Sequence, residues 1–298
     1  MEGIVIRAAG GFFAVRDAGG AVYLCRARGR LKLESGSILV GDRVIFRPEE
    51  GAEEPGGAGE GAGVIETLLP RRSVLRRPPV ANVEQIVLVL ALKEPAPDWQ
   101  LAGRILLQGE REKLALLCCL NKIDLADAAE REEAAAALDP LPYRLLWSSA
   151  REGAGVGQLG EALRGRCTVF AGPSGVGKSS LLNAVHPGLG LKTGTVSRKI
   201  GRGRHVTRQV ELLELPAGGF VVDTPGFSRL SFAGLEPDRL GDLFPEFAPH
   251  RESCSFRNCN HIHEPGCAVR EAVFAGLINR CRYRQYQHFW KELNDKER

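Results

Sequence analysis

The chain has 298 residues, a length that suggests two domains or three. With 44% hydrophobic, 26% charged and 6% aromatic residues, the composition excludes a mostly disordered chain. The longest apolar runs, 86–92 and 114–120, are too short to span a bilayer, and no basic leader precedes them, so we expect a cytoplasmic protein without a membrane partner. A net charge of +4 is too small to indicate which class of partner the protein binds. Arginines nevertheless cluster at 71–77 and 198–208, which indicates either solvated surface or contact with a polyanion.

The first 68 residues predict five short strands separated by glycine-rich turns. These strands are expected over 3–7, 11–15, 21–25, 42–46 and 63–68. The composition of 48–63 indicates a flexible loop. Five short strands favour a small closed barrel, and the sequence leaves open whether it is of the OB or the SH3-like type.

From about residue 83, apolar strands alternate with helices. Strands are expected over 85–92, 114–120, 143–147, 167–171 and 219–222, and helices over 101–113, 126–138, 156–163 and 178–185. This alternation predicts an α/β domain with a mainly parallel, buried sheet. After residue 226 the pattern becomes helical, and a long helix rich in Arg and Tyr is expected from about residue 268.

A phosphate-binding loop is predicted at 172–179, which matches G-x-x-x-x-G-K-[ST] between a strand and a helix. The glycines let backbone N–H groups surround a β-phosphate, Lys178 would reach the β and γ oxygens, and Ser179 would bind Mg²⁺. A glycine-rich turn that matches by chance is the weaker alternative. The predicted phosphate-binding residues are Gly172, Pro173, Ser174, Gly175, Val176, Gly177, Lys178, Ser179 and Ser180.

A base-binding element is predicted where Asn121, Lys122 and Asp124 follow an apolar strand. The Asp124 carboxylate can accept both guanine N1–H and the N2 amino group, whereas adenine lacks that pair of donors. Ser149 and Ala150 end the next strand, where a backbone N–H would contact guanine O6. The alternative for Asp124 is an ordinary helix N-cap.

Asp223 follows a buried strand and can hold Mg²⁺, while the Gly226 N–H can reach a γ-phosphate. Thr207 is the second hydroxyl available to Mg²⁺. The alternative is that 223–226 forms a turn that needs no ligand. The base elements precede the phosphate loop, which in ordinary GTPases comes first, so the order predicts a circularly permuted GTPase.

A metal site is predicted near the C-terminus. Three of the eight cysteines lie close to histidines, in the set Cys254, Cys259, His261 and Cys267. Three thiolates and one imidazole suit a structural zinc ion. The spacing alone does not decide whether His261 or His263 is the nitrogen ligand. The alternative interpretation is that the cysteines lie beside a turn and bind no metal.

A barrel, a permuted GTPase and a Cys/His cluster together resemble the ribosome small-subunit-dependent GTPase A family over nearly the whole chain. The resemblance implies an OB-like barrel (1–69), a GTPase domain (70–235) and a helical zinc domain (236–298). It implies GTP hydrolysis with Mg²⁺, one structural zinc held with His261, and a monomer that binds GTP or GDP. Its partner would be the small ribosomal subunit and its rRNA, in late assembly. Val206 departs from the family's usual threonine and leaves Thr207 alone for Mg²⁺.

Phe227 occupies the position where many GTPases have a water-orienting glutamine, so we expect low intrinsic turnover. The family resemblance implies that the subunit stimulates this turnover. His205 is the candidate catalytic residue, because an imidazole can hydrogen-bond the attacking water. An RNA phosphate contact is the equal alternative for His205. The second candidate function is an RNA-binding nucleotide switch with negligible hydrolysis. The base element at 121–124 argues against a third candidate function, that of an ATPase or small-molecule kinase.

Arginines alternate with aromatic residues at 280–291, a composition that suits RNA phosphates and stacked bases. Arg280, Arg282 and Arg284 are the predicted phosphate contacts. Phe289 and Trp290 are expected instead to pack the helix on the core.

Overall fold

The computed structural model describes residues 1–29, 37–49, 60–76, 78–139, 141–191, 210–223 and 234–296. The strands are β1 (Glu2–Ala9), β2 (Phe12–Asp17), β3 (Val22–Ala27), β4 (Arg43–Glu49), β5 (Glu60–Leu68), β6 (Val74–Arg76), β7 (Pro79–Ala81), β8 (Gln85–Ala91), β9 (Ala115–Asn121), β10 (Arg144–Trp147), β11 (Cys167–Ala171), β12 (Glu211–Glu214) and β13 (Phe220–Asp223). The α-helices are α1 (Trp99–Arg111), α2 (Ala128–Leu138), α3 (Val156–Leu163), α4 (Lys178–Val185), α5 (Ala248–Arg251), α6 (Ala268–Phe274) and α7 (Arg280–Lys296). Short 3₁₀ helices cover Ile123–Leu125, Pro187–Leu189, Pro237–Leu243 and Pro245–Phe247. Within these ranges, no helix is both long and apolar enough to cross a membrane.

The first five strands form a closed barrel. Their order is β1-β2-β3-β5-β4, and β4 pairs back onto β1. The β3 and β5 strands are parallel, whereas the other pairs are antiparallel. This Greek-key order is that of the OB barrel, so the strand pairing decides between the two barrel types. The loop predicted over 48–63 lies largely outside the described residues.

The α/β region contains a six-stranded part of the sheet in the order β10-β9-β8-β11-β13-β12. All of its pairs are parallel except β12 with β13. The β8 strand is buried along its whole length, because Ile86 and Leu88 pack into one apolar cluster while Val87 and Val89 pack into another. The sequence pattern does not predict β12, a four-residue strand with glutamates at both ends.

The barrel is joined to this sheet where β1 pairs with β12 at Arg7 and Glu211. Beside this junction, the Arg71 guanidinium donates two hydrogen bonds, of 2.7 and 2.8 Å, to the fully buried Asp42 carboxylate. The expectation that the arginines at 71–77 are solvated or contact a polyanion is therefore wrong for Arg71. Its partner lies on a segment 29 residues away in sequence.

The C-terminal region ends in two helices, so the single helix expected from about residue 268 is wrong. The chain breaks after α6, where Gly276 has a φ of +75°. The Asn279 carboxamide oxygen accepts the Cys281 N–H at 2.7 Å and begins α7. The Asn279 Nδ2 group also donates to the carbonyls of Ala136 (2.6 Å) and Asp139 (2.7 Å), which ties α7 to the end of α2.

The α7 helix packs against α1 of the α/β region. Gln285 Nε2 donates to the Trp99 carbonyl at 2.6 Å. A Cβ atom at Gly103 would lie 2.5 Å from Gln285 Oε1, so the close approach of the two helices depends on this glycine.

Candidate nucleotide site and metal cluster

The phosphate loop lies at the carboxyl end of β11 and leads directly into α4. Gly172, Gly175 and Gly177 have φ values of +145°, +83° and +97°, which side chains rarely adopt. A Cβ atom would lie 2.1 Å from the Val89 carbonyl oxygen at Gly172, and 2.3 Å from Asn121 Nδ2 at Gly177. Both glycines are therefore required for space as well as for backbone conformation.

Lys178 is held over the loop that precedes it. Its Nζ donates to the carbonyls of Gly172 at 2.8 Å and Pro173 at 2.7 Å. Burial lowers the pKa of Lys178 because the charged form loses hydration. A phosphate within reach would offset that loss, so the geometry suits binding of an anion.

Asn121 connects the predicted base element to the phosphate loop. The side chain is 1% exposed, and its Nδ2 donates to the Val176 carbonyl at 2.8 Å. Its Oδ1 accepts the Ala150 N–H at 3.3 Å and the Ser148 hydroxyl at 3.2 Å. The base element, the end of the next strand and the phosphate loop are all predicted to bind one nucleotide, and the Asn121 side chain connects all three.

Asp124 lies in the 3₁₀ helix that follows β9, and its Oδ1 accepts the Ser149 hydroxyl at 2.7 Å. The N-cap of α2 is instead Asp127, whose side chain accepts the Glu130 N–H at 2.9 Å. The Glu130 carboxylate accepts the Asp127 N–H in return, which completes a capping box. The alternative role of Asp124 as a helix cap is therefore wrong.

The segment after β8 also belongs to this site, and sequence reasoning missed it. Lys122, with a φ of +60°, donates its Nζ to the Glu94 carbonyl. Pro95 Cδ lies 3.6 Å from where a Cβ of Gly175 would be. A polar, proline-containing segment at the carboxyl end of a buried strand was the available signal.

Several predicted site residues lie outside the described residues: His205, Thr207, Gly226, Phe227 and the arginines of 198–208. Asp223 is described by its backbone, as the last residue of β13. Because β13 is parallel to β11, Asp223 ends at the same edge of the sheet as the phosphate loop. Ser179 is the second residue of α4, beside Lys178.

The predicted metal ligands come together in the C-terminal region. One ligand atom from each of Cys254, Cys259, His261 and Cys267 lies within 4.8 Å of the others, so the cluster could hold a metal ion. His261 Nδ1 is 3.6 Å from Cys254 Sγ and 3.4 Å from Cys267 Sγ. His263 is exposed, so the fold selects His261 for the cluster. Burial lowers the pKa of His261, which favours the neutral imidazole that metals bind.

Neighbouring side chains hold the backbone of this cluster. The Tyr283 hydroxyl donates to the His261 carbonyl at 2.7 Å, and the Tyr286 hydroxyl donates to the Asn260 carbonyl at 2.6 Å. The Glu264 carboxylate accepts three backbone N–H groups, those of Asn260, Ile262 and His263. The positive φ of His261 (+58°) is thus fixed from both sides.

The arginines of α7 have different roles. Arg282 is 1% exposed, its Nε donates to Glu246 at 2.8 Å, and its guanidinium lies 4.5 Å from the Phe244 ring centroid. The prediction that Arg282 contacts phosphate is therefore wrong. Arg280 and Arg284 are exposed, whereas Phe289 is buried, as expected for a packing residue.

Comparisons with known proteins agree with this geometry. The family model of the RsgA GTPase matches residues 68–233, and that of the RsgA N-terminal domain matches residues 2–54. The chain is 47% identical to the small ribosomal subunit biogenesis GTPase RsgA of Moorella thermoacetica, over 100% of this chain and 99% of that protein. The crystal structure of YjeQ from Thermotoga maritima is similar, with 37% identity, 98% of each chain covered and a TM-score of 0.84. The structure of YloQ, described as a circularly permuted GTPase, has 34% identity and a TM-score of 0.80 over 99% of this chain and 95% of that chain.

Proposed function

Since the chain belongs to the RsgA GTPase family, we propose that this GTPase binds the small ribosomal subunit and acts in its late assembly in the cytoplasm. The relative from Moorella thermoacetica is named for small-subunit biogenesis and matches along its whole length. The observation that carries the nucleotide assignment is Asn121, which ties the base element to the phosphate loop. We further propose a monomer with three units, 1–69, 70–235 and 236–298.

In this proposal the phosphate loop, from Gly172 to Ser180, cradles the phosphates of GTP. Its N–H groups and the N-terminus of α4 would stabilise negative charge, and Lys178 would contact the β and γ oxygens. Asp124 would accept the two donors of guanine, next to Asn121 and Lys122. The Ala150 N–H, which makes a long hydrogen bond of 3.3 Å to Asn121 Oδ1, would contact guanine O6. The Ser149 N–H donates to the Ala154 carbonyl at 3.0 Å, so Ser149 would contribute through its hydroxyl, which holds Asp124.

Mg²⁺ bound with GTP would neutralise charge on the β and γ oxygens. The hydroxyls of Ser179 and Thr207 and the carboxylate of Asp223 are the ligands that we propose for it. The Gly226 N–H would contact the γ-phosphate. His205 would hydrogen-bond the attacking water once the subunit is bound, since Phe227 has no group that can do so.

We propose that the Cys254, Cys259, His261 and Cys267 cluster holds one structural zinc ion. Three thiols and a neutral imidazole within 4.8 Å of one another match the donors that zinc prefers. With four protein ligands, no position remains open for chemistry. The metal would stabilise the loop on which it sits.

The exposed side of α7 supports an RNA partner. Arg280, Arg284 and Lys291 are all exposed and follow helical spacing on one side of the helix. Such a row of cations suits a phosphate backbone.

Turnover of GTP and ATP, each with and without purified small subunits, tests the proposed function. We expect slow GTP hydrolysis that subunits accelerate, and no ATP hydrolysis. Unchanged GTP turnover with subunits that nevertheless bind would favour the second candidate, a nucleotide switch with negligible hydrolysis. Turnover without any effect or binding of subunits would contradict the proposal.

The variant His205→Ala separates the two roles of that histidine. Lost stimulation with subunit affinity intact supports contact with the attacking water. Lost affinity alone assigns His205 to an RNA phosphate, and no change in either removes His205 from the mechanism.

A further inference from the structure

The segment between the first two cysteines of the metal cluster projects into solvent. Its four residues, Ser255, Phe256, Arg257 and Asn258, are all exposed. Phe256 is 51% exposed, and it is among the few large apolar side chains that are exposed within the described ranges. A single exposed phenylalanine is ordinary on a protein surface, so the case for a binding role depends on the groups that surround Phe256.

Phe256 lines a cleft of about 720 Å³, which lies within the size range of sites for small ligands. The metal ligands Cys254, Cys259 and His261 line the same cleft, so a bound metal ion would fill part of it. The cleft is also lined by Asp238 and Asp242, from the 3₁₀ helix Pro237–Leu243, and by Arg251. No aliphatic side chain is found among the described residues that line the cleft. An apolar protein segment would therefore find the rings of Phe256 and Tyr286 among mostly polar groups and metal ligands, which is a poor match.

The charged groups of the cleft divide into paired and available ones. Asp242 is held by two arginines, because Arg239 Nε donates to it at 2.8 Å and Arg251 donates to its other oxygen. Asp238 and Arg257 form no ion pair with any other residue in the described part of the chain. The cleft thus offers an aromatic face, a guanidinium and a carboxylate, beside the Asn258 amide.

These groups are complementary to a single nucleotide that is not base-paired. The ring can stack on a base, the guanidinium can pair with a phosphate, and the carboxylate or the amide can accept an exocyclic amino group. A base inside a duplex could not enter, because both of its faces are stacked. Glu252 also lines the cleft and its negative charge disfavours phosphate, so Arg257, the cation of the cleft without an ion pair among the described residues, is the group that would pair with one.

The cleft wall is also fixed before any ligand binds. Cys254 and Cys259 anchor the two ends of the segment in the metal cluster, and the Ser255 N–H donates to the Gly266 carbonyl at 3.0 Å. The hydroxyls of Tyr283 and Tyr286 hold the backbone that follows. A wall fixed in this way loses little conformational entropy on binding.

We propose that this cleft binds one unpaired RNA nucleotide, with its base stacked on Phe256 and its phosphate beside Arg257. The inference rests on the proposed function only for the origin of the RNA, the small subunit. It adds a site for a nucleotide that is distinct from the GTP site.

The test measures the affinity of the zinc-loaded, full-length protein for an end-labelled RNA hairpin with an unpaired loop, by fluorescence anisotropy. A blunt RNA duplex of equal length is the reference for binding through phosphates alone. Phe256→Ala and Phe256→Leu should weaken hairpin binding about 5- to 100-fold, because both remove the aromatic face. Phe256→Tyr, which keeps that face, should bind as the wild type does, and duplex affinity should not change.

Phe274→Ala is the matched control, since Phe274 is also exposed (75%) in the C-terminal region but does not line the cleft. It should leave hairpin affinity unchanged. Zinc content and GDP affinity, measured for each variant, establish that the fold is retained. A variant that loses zinc is replaced by Arg257→Gln, for which weaker hairpin binding is likewise expected.

The proposal is overturned if Phe256→Ala binds the hairpin normally, or if Phe274→Ala loses as much affinity. Normal binding by Phe256→Leu would overturn stacking. Weaker binding to intact subunits with normal hairpin affinity would assign Phe256 to a protein partner and also overturn it. Failure of the proposed function is recognised separately, by GTP turnover that small subunits leave unchanged.

Discussion

Removing the Asn121 side chain should uncouple the two halves of the nucleotide site. Asn121→Ala deletes hydrogen bonds to the Val176 carbonyl, the Ala150 N–H and the Ser148 hydroxyl, of 2.8, 3.3 and 3.2 Å. A buried polar group left without a partner costs about 1–3 kcal/mol. Truncation leaves space beside all three groups, and water that enters it can replace part of the lost hydrogen bonding. The three penalties therefore do not add in full, and we expect the free energy of unfolding to fall by about 3 kcal/mol in total.

Affinity for nucleotide should fall as well, since the base element and the phosphate loop would no longer be held in one geometry. Urea unfolding of nucleotide-free protein gives the stability change, and titration with fluorescent GDP gives the affinity. Asn183→Ala is the matched control, because the Asn183 side chain also makes two backbone hydrogen bonds, both with Leu191, away from the base element. It should lose stability but keep GDP affinity. Wild-type stability and affinity in Asn121→Ala would refute the reasoning.

Three further changes test other parts of the molecule. Asp124→Asn should weaken GTP binding by several kcal/mol and bind xanthosine triphosphate better than the wild type does, as measured by calorimetry; equal GTP affinity would contradict the guanine assignment. Cys259→Ala should lose the zinc that elemental analysis finds in the wild type and keep GTP affinity, because no metal ligand lies in the nucleotide site; a wild type without zinc would contradict the metal assignment. Arg282→Ala should lower the free energy of unfolding by about 3–5 kcal/mol, because it leaves the Glu246 carboxylate buried without its partner. Arg284→Ala, at an exposed position, should change stability by less than about 0.5 kcal/mol but reduce the salt dependence of RNA binding; the reverse pattern would contradict both assignments.

The predictions that succeeded concern chemistry carried by short segments. The phosphate loop, its flanking strand and α4 lie where the sequence predicts them, because glycines and apolar runs determine the conformation of their own short segments. The five strands of the barrel follow from short β-rich runs between turn residues, and the buried strands of the sheet follow from continuous apolar runs. The permuted order could also be predicted from the order of the motifs. In the sheet, β9, which ends at the base element, and β11, which leads into the phosphate loop, both pair with β8.

Tertiary structure alone decided which of several similar residues take part. Among the arginines of α7, burial against Glu246 removes Arg282 from the surface and leaves Arg284 there. His261 rather than His263 joins the metal cluster. The cap of α2 is different, because Asp127 and Glu130 have the local spacing of a capping box, which the sequence analysis did not use.

The OB pairing of the barrel, the contact of Asn121 with the phosphate loop and the cleft beside Phe256 each join segments distant in sequence. The local sequence pattern does not predict such contacts, because they depend on which faces pack together once the chain has folded. The sequence by itself therefore determined the chemistry available to this GTPase, whereas packing decided which side chains remain free to use it.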